Sequence, residues 1–114
     1  METPNTGKLY VVATPIGHPK DITLRALDIL KQVNAVICEE YRQGSRLLNQ
    51  LGIEKELISL NEHNETQEAP NLVKRLVRGE SLAIISDAGT PVFADPGQHL
   101  LTLLYQAGIQ VSPI

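Results

Sequence analysis

Short, nearly all-apolar runs alternate along this chain with longer stretches in which apolar residues recur every three or four positions. Lys8 to Ala13 (KLYVVA), Ala35 to Cys38 (AVIC) and Ser81 to Ile85 are runs of the first kind, and Ile109 to Ser112 starts a further strand. Such runs are expected of strands covered on both faces. Glu56 to Leu60 makes a weaker fifth. Between them, Leu24, Leu27, Leu30 and Val33 fall at helical spacing behind Asp21, which predicts a helix capped by that aspartate. Ser45 to Leu51 predicts a short helix closed by Gly52. Asn64 to Arg78 predicts a longer one, where Asn64 with Gln67 resembles a capping box and Gly79 stands just past the end. A last helix begins near Pro96, with Asp95 as cap and Gln98 as its partner, and Gly108 terminates it. Strands alternating with helices argue for an α/β fold: three layers around a mostly parallel five-stranded sheet with right-handed crossovers.

One connection is richer than turning the chain requires. Ser86-Asp-Ala-Gly-Thr-Pro-Val-Phe-Ala-Asp-Pro-Gly97 follows an apolar strand and precedes a helix. A plain connection there needs only about 2–6 residues. In open parallel sheets the carboxyl ends of the strands are where ligands bind, so this stretch reads as a ligand loop.

Composition narrows the chemistry. The chain has 114 residues, 42% of them hydrophobic, but only three Tyr, one Phe and no Trp, so its core must be aliphatic. The formal net charge of -3 supplies no global positive field for nucleic acid. Cys38 is the single cysteine; it rules out an internal disulfide and fits a reducing compartment. The polar start, Met1 to Lys8, has no apolar signal region, and no stretch approaches the ~20 apolar residues of a membrane span. These features predict a cytoplasmic domain.

The loops carry the candidate chemistry. Thr14 to Asp21 holds one glycine and neither the G-x-G-x-x-G nor the G-x-x-x-x-G-K-[ST] pattern, so dinucleotide and P-loop readings have no support. No serine stands in a G-x-S-x-G elbow. Glu39-Glu-Tyr-Arg42 follows the second strand. Either its carboxylates serve as a general base while Arg42 clamps a phosphate, or it is a solvated acidic helix start. Asn61-Glu-His-Asn-Glu65 reads as a polar cleft lining, and its histidine and acids fall short of a zinc frame. Cys38 reads as a small core residue, and His99 as facing outward on its helix.

Taken together, Leu9-Tyr-Val-Val-Ala-Thr-Pro-Ile-Gly17, Asp21-Ile-Thr-Leu-Arg-Ala-Leu27, Glu39-Glu-Tyr-Arg42, Leu57-Ile-Ser-Leu-Asn-Glu-His-Asn-Glu65 and Ser86-Asp-Ala-Gly-Thr-Pro91 with Asp95-Pro-Gly97 resemble the N-terminal half of the ribosomal RNA small-subunit methyltransferase I family. That family belongs to the tetrapyrrole (corrin/porphyrin) methylase superfamily. The resemblance implies an S-adenosyl-L-methionine-dependent methyltransferase, usually a homodimer, that methylates the 2′-hydroxyl of a cytidine in 16S ribosomal RNA. Residues 1–114 would form its N-terminal domain, with a second domain absent from this chain. The superfamily's Gly-Asp-Pro cofactor loop is matched by Gly89-Thr90-Pro91, with Val92, Phe93 and Ala94 as the wall around the adenosyl group. Pro15 and the stretch at Ser112-Pro113 would complete the cofactor side, and Asp87 would orient the loop or bond the cofactor. Glu39, Glu40 and His63, in that order, are the candidates for a base, with Arg42, Arg46 and Asn64 on the substrate side.

Two stretches depart from the family. Its usual Gly-Asn-Leu-Gly-Asp reads Gly17-His-Pro-Lys-Asp21, and its Glu-Asp-Thr-Arg reads Glu39-Glu-Tyr-Arg42. Two other functions remain compatible with the same fold: a tetrapyrrole C-methyltransferase, and a non-catalytic ligand-binding or dimerisation module.

Overall fold

The computed structural model describes residues 6–14, 19–87 and 97–114, apart from the side chain of Asp87. Among the described residues five strands and four α-helices alternate: β1 (Lys8–Thr14), α1 (Leu24–Gln32), β2 (Ala35–Cys38), α2 (Tyr41–Gln50), β3 (Glu56–Ser59), α3 (Glu65–Val77), β4 (Leu82–Asp87), α4 (Gly97–Ala107) and β5 (Gln110–Pro113). The strands form one sheet in the order β3-β2-β4-β1-β5, and all four pairings are parallel. Among the described residues no helix is long and apolar enough to cross a membrane.

Strand periodicity builds the layers. Leu9, Ala35, Ile37, Leu82 and Ile84 point to one face, where Ala69, Leu72 and Leu76 of α3 and Leu100 and Leu104 of α4 cover them. Val12, Val36 and Ala83 point to the other, beneath Ala26 and Leu30 of α1 and Leu48 of α2. Fully burying a leucine such as Leu30 or Leu72 contributes roughly 1.5–3 kcal/mol relative to leaving it exposed. These two aliphatic cores hold the three layers together.

Helices α2, α3 and α4 stop in the same way. Gly52, Gly79 and Gly108 adopt φ of 71°, 99° and 68°, a region that only glycine enters without steric cost. The next amide then bonds back to the last turn: Ile53 to the Leu48 carbonyl, Glu80 to Arg75 and Ile109 to Leu104. Two of these pairs are apolar and buried. The third is ionic, since Arg75 also donates to the Glu80 carboxylate at 2.8 Å and pairs with Glu56 at 2.9 Å.

Local details differ from the pattern reading. Asp21 ends a 3-10 turn (Pro19–Asp21), and Thr23 caps α1 instead, its hydroxyl accepting from the Ala26 amide at 3.0 Å. Leu24 therefore stands at the first helical position, off the Ala26–Leu30–Val33 face, and is 81% exposed. Helix α2 begins at Tyr41 rather than Ser45 and carries Gly44 in its interior, because there it presses on β2. The Asn64 side chain caps nothing on α3, being bonded within its own loop. Ser86 and Asp87 belong to β4, since β1 extends to pair with them. The cap expected at Asp95 and Pro96 lies outside the described residues.

Candidate functional site

Because every strand is parallel, all five carboxyl ends meet at one edge of the sheet. The chain leaving β2 runs outward to β3, while the chain leaving its neighbour β4 crosses the opposite way to β5. Connections that diverge from adjacent strands open a crevice, and open α/β sheets bind ligands there. The register accentuates it. Pairing of β4 with β2 ends at Ile37 and Ile84, whereas pairing with β1 continues to Thr14 and Asp87. The end of β4 thus projects beyond β2. The Thr14 hydroxyl donates to the Ser86 carbonyl at 3.0 Å and fastens that projecting end to β1.

Glu39 and Glu40 are exposed on the β2 side of this crevice. Glu40 precedes α2 without a side-chain cap bond, so its carboxylate is not committed to the helix end. Arg42 and Arg46 lie one turn apart on α2 and are exposed, while Gly44 and Leu48 take its buried face. The neighbouring β3 loop is tied in by side chains. Ser59 Oγ donates to the Glu39 carbonyl at 3.2 Å and accepts from Asn61 Nδ2 at 3.2 Å. Asn64 donates to the Ser59 carbonyl and accepts from the Asn61 amide, both at 2.8 Å. Both ends of the Asn64 amide are therefore engaged inside the loop. His63 rides on it, exposed, with Nε2 3.8 Å from Glu62 Oε1. At the far side Pro113 ends β5, exposed and in register with Val11.

The structure thus brings Glu39, Glu40, Arg42, His63, Asn64 and Pro113 to one edge, with Arg46 a turn further along α2. Asp87 closes β4 at the same edge. Pro15, Gly89, Thr90, Val92, Phe93 and Ala94 lie outside the described residues. Cys38 ends β2 as a buried thiol whose pKa is pushed up to about 11, chiefly by burial and further by the Glu40 carboxylate. A thiol held protonated in this way is a packing group rather than a nucleophile.

Two residues escaped the sequence reading. Among the described residues Thr14 and Glu65 are the two buried polar side chains, 5% and 8% exposed. Glu65 opens α3, yet its Oε1 accepts from the His99 amide at 2.8 Å and the Leu100 amide at 3.4 Å, at the start of α4. A glutamate in the first turn of a helix is ordinarily an exposed favourable charge, so no local signal marks it as buried. His99 faces outward, as its position predicted.

The family of Tetrapyrrole (Corrin/Porphyrin) Methylases matches residues 8–114. The chain belongs to this family. The resemblance read from the motif blocks therefore holds, and curated relatives sharpen it. The chain is 51% identical over 109 residues to ribosomal RNA small subunit methyltransferase I of Pasteurella multocida (strain Pm70), covering 96% of this chain and 39% of that protein. Its counterpart of the same name in Haemophilus influenzae is 48% identical over 109 residues, covering 96% and 38%. The chain thus spans about two-fifths of the length of these relatives. Among solved structures, uroporphyrin-III-C-methyltransferase from Thermus thermophilus superposes with a TM-score of 0.67 at 22% identity, over 95% of this chain and 46% of that one. A protein from Aeropyrum pernix K1 gives 0.66 at 21% identity, over 96% and 39%. Both share the tetrapyrrole methylase fold, in agreement with the five-stranded parallel sheet.

Proposed function

We propose that this chain is the N-terminal domain of a two-domain methyltransferase that uses S-adenosyl-L-methionine to methylate the 2′-hydroxyl of a cytidine in 16S ribosomal RNA. The observation that carries the reading is the 51% identity, across 96% of the chain, to a relative named ribosomal RNA small subunit methyltransferase I. The likeness to a uroporphyrin methyltransferase lies at 22% identity and speaks for the fold alone. It does not favour a tetrapyrrole acceptor.

The carboxyl edge fits such a methyl donor. An adenosyl group needs backbone donors and acceptors beside an apolar wall, and the projecting end of β4 presents peptide groups where β2 has already stopped. Asp87 stands at that end, Gly89, Thr90, Val92, Phe93 and Ala94 would follow it in the chain, and Pro15 and Pro113 would serve as flanks. When bound, the sulfonium supplies an electrophilic methyl group for in-line displacement. The protein then has to align the acceptor and exclude water, and proximity accounts for much of the rate. Glu39, Glu40 and His63 are the groups that would take the hydroxyl proton, in that order; the first two border the crevice. Arg42 and Arg46 would meet RNA phosphates, and Asn64 would hold the acceptor-side loop in shape.

The chain carries 10 Lys and Arg against 13 Asp and Glu, so the second domain or a homodimer must provide most of the positive charge for RNA. Tyr105 on the outer face of α4 is 87% exposed beside the exposed Leu101, a surface suited to such an assembly. The reaction and the reducing environment its lone thiol tolerates both accord with a cytoplasmic protein.

Calorimetric titration of S-adenosylhomocysteine into the full-length two-domain protein tests the reading. Binding is expected, and Thr90→Ala and Gly89→Val should each weaken it. Unchanged affinity in both variants would sink the donor-site assignment. Labelled donor with small-subunit RNA should then yield 2′-O-methylcytidine, whereas a Soret-band shift on adding a porphyrin precursor would favour the tetrapyrrole acceptor.

A further inference from the structure

Helix α2 runs back from the carboxyl edge, and its buried stripe shows how it lies on the sheet. A Cβ on Gly44 would stand 2.8 Å from the Sγ of Cys38, the last residue of β2, and 3.3 Å from Leu57 of β3. Gly44 thus rests over the end of the strand. Leu48, one turn further on, is buried in the core of that face. Tyr41 precedes Gly44 by three positions, so it shares the stripe and sits about 4.5 Å nearer the helix start. No residue of β2 remains beneath it. An aromatic side chain on the buried stripe of its helix is therefore 57% exposed. The Cα–Cβ bonds of a helix tilt towards its N-terminus, which carries the side chain further beyond the sheet edge.

A lone exposed apolar residue carries little meaning by itself. Position and neighbours give this one a role. Tyr10 lies half-buried in β1 and Tyr105 on the outer face of α4, so among the described residues Tyr41 is the aromatic at the carboxyl edge. Glu40 before it has a carboxylate not committed to the helix end, and Arg42 after it is exposed. Carboxylate, ring and guanidinium in succession match a ribose hydroxyl, a flat base and a phosphate. We propose that Tyr41 is the stacking platform for the base of the acceptor nucleotide, with Glu40 on its ribose side and Arg42 on its phosphate side. The inference rests on the RNA reading of the acceptor and adds the contact that orients it.

Proteins that read single-stranded RNA splay its bases onto aromatic faces, and every base has such a face to offer. Stacking needs no net charge. It suits a chain whose net charge of -3 gives phosphates little general attraction. Leu24 heads α1, which packs on the same face of the sheet as α2, and is 81% exposed. The rim therefore offers apolar surface at two helix starts. Tyr41 acts on the affinity and orientation of the acceptor and moves no proton.

The test compares Tyr41→Phe, Tyr41→Leu and Tyr41→Ala in the full-length protein, with small-subunit RNA as acceptor. Tyr41→Ala and Tyr41→Leu should each raise KM for the RNA by about tenfold, the scale of one lost base stack, with a smaller change in kcat. Tyr41→Phe keeps the ring and should stay within about twofold of wild type. Leucine preserves apolar cover, so a loss equal to that of alanine separates stacking from packing. The slope of log affinity against log salt should stay unchanged in all three, whereas Arg42→Ala should make it shallower by about one. RNA carrying iodocytidine should photo-crosslink to Tyr41. An unchanged KM in Tyr41→Ala would overturn the proposal, and so would full retention of affinity in Tyr41→Leu. A lower melting temperature together with weaker S-adenosylhomocysteine binding in Tyr41→Ala and Tyr41→Leu would make the ring a packing contact within the whole protein, which also overturns it. If the wild-type protein methylates no small-subunit RNA, the RNA reading falls and the inference falls with it. If wild type methylates the RNA and the Tyr41 variants match it, the reading stands and the stacking role alone is refuted.

Discussion

Gly44 of α2 lies so close to Cys38 of β2 that a Cβ built on the glycine would stand 2.8 Å from the cysteine Sγ and 2.9 Å from its Cβ. Helix and strand meet there at the end of the sheet that forms the crevice. The contact explains a glycine in a helix interior, where it costs about 1 kcal/mol of helix propensity relative to alanine. Gly44→Ala should therefore destabilise the domain by about 1–3 kcal/mol despite its better propensity, because overpacking outweighs it. Adding Cys38→Ala should recover part of the loss by removing the sulfur. Urea denaturation of the two single variants and the double variant checks this. A single Gly44→Ala variant more stable than wild type would contradict the close approach.

Cys38 should resist alkylation while the protein is folded. Its thiol pKa stands near 11, raised by burial first and by Glu40 second. The neutral thiol is the form that folding favours. Its contribution to stability is therefore complete below the ordinary thiol value and is lost as pH rises through about 11. Iodoacetamide at pH 8 should leave the native protein unmodified and label it fully in denaturant. Rapid native labelling would mean that the strand end opens readily.

The Arg75 cluster makes a pH-dependent contribution of opposite sign. The hydrogen bonds from Arg75 hold the Glu56 carboxyl below its usual range. Such a group stabilises the fold above the ordinary carboxylate pKa and loses that effect as pH falls through its lowered folded value. The Glu56 side chain is 55% exposed, so solvent screening keeps the whole effect under about 1 kcal/mol. Glu56→Gln should cost that much at pH 7 and nearly nothing at pH 3, measured by urea titration at both. An equal cost at the two pH values would rule out the ion pair as its source.

Gly108 ends α4 at a φ of 68°, and a Cβ there would meet nothing within 4 Å. Its cost on substitution is backbone strain alone. Gly108→Ala should destabilise by about 1 kcal/mol, and Gly108→Asn by less, since asparagine tolerates the left-handed region better. Thermal melts of both variants test the order. Equal melting temperatures for wild type and Gly108→Ala would show that the helix end repacks.

Legibility of the site follows its chemistry. Glu39, Glu40 and Arg42 could be placed at the carboxyl edge of the sheet from the pattern, because a residue that follows a strand in an α/β alternation must emerge at its carboxyl end. Thr14 and Glu65 could not. Their roles depend on partners 72 and 34 residues away, and nothing in the local run distinguishes a threonine that ends a strand exposed from one that bonds across to Ser86.

The same division holds for the fold. Periodicity along the sequence determined the existence and type of all five strands and four helices, because a strand covered on both faces and a one-faced helix leave different apolar spacings. Glycines past Gln50, Val77 and Ala107 determined where three helices stop, a purely backbone effect. Tertiary structure decided the rest. The order β3-β2-β4-β1-β5 arises from which hydrophobic faces can be covered together. Helix α2 starts at Tyr41 because Gly44 lets it approach β2, and Ser86 and Asp87 became strand because β1 was there to pair with them. Local sequence sets what each segment is; contact energies between distant segments set where it ends and what it meets.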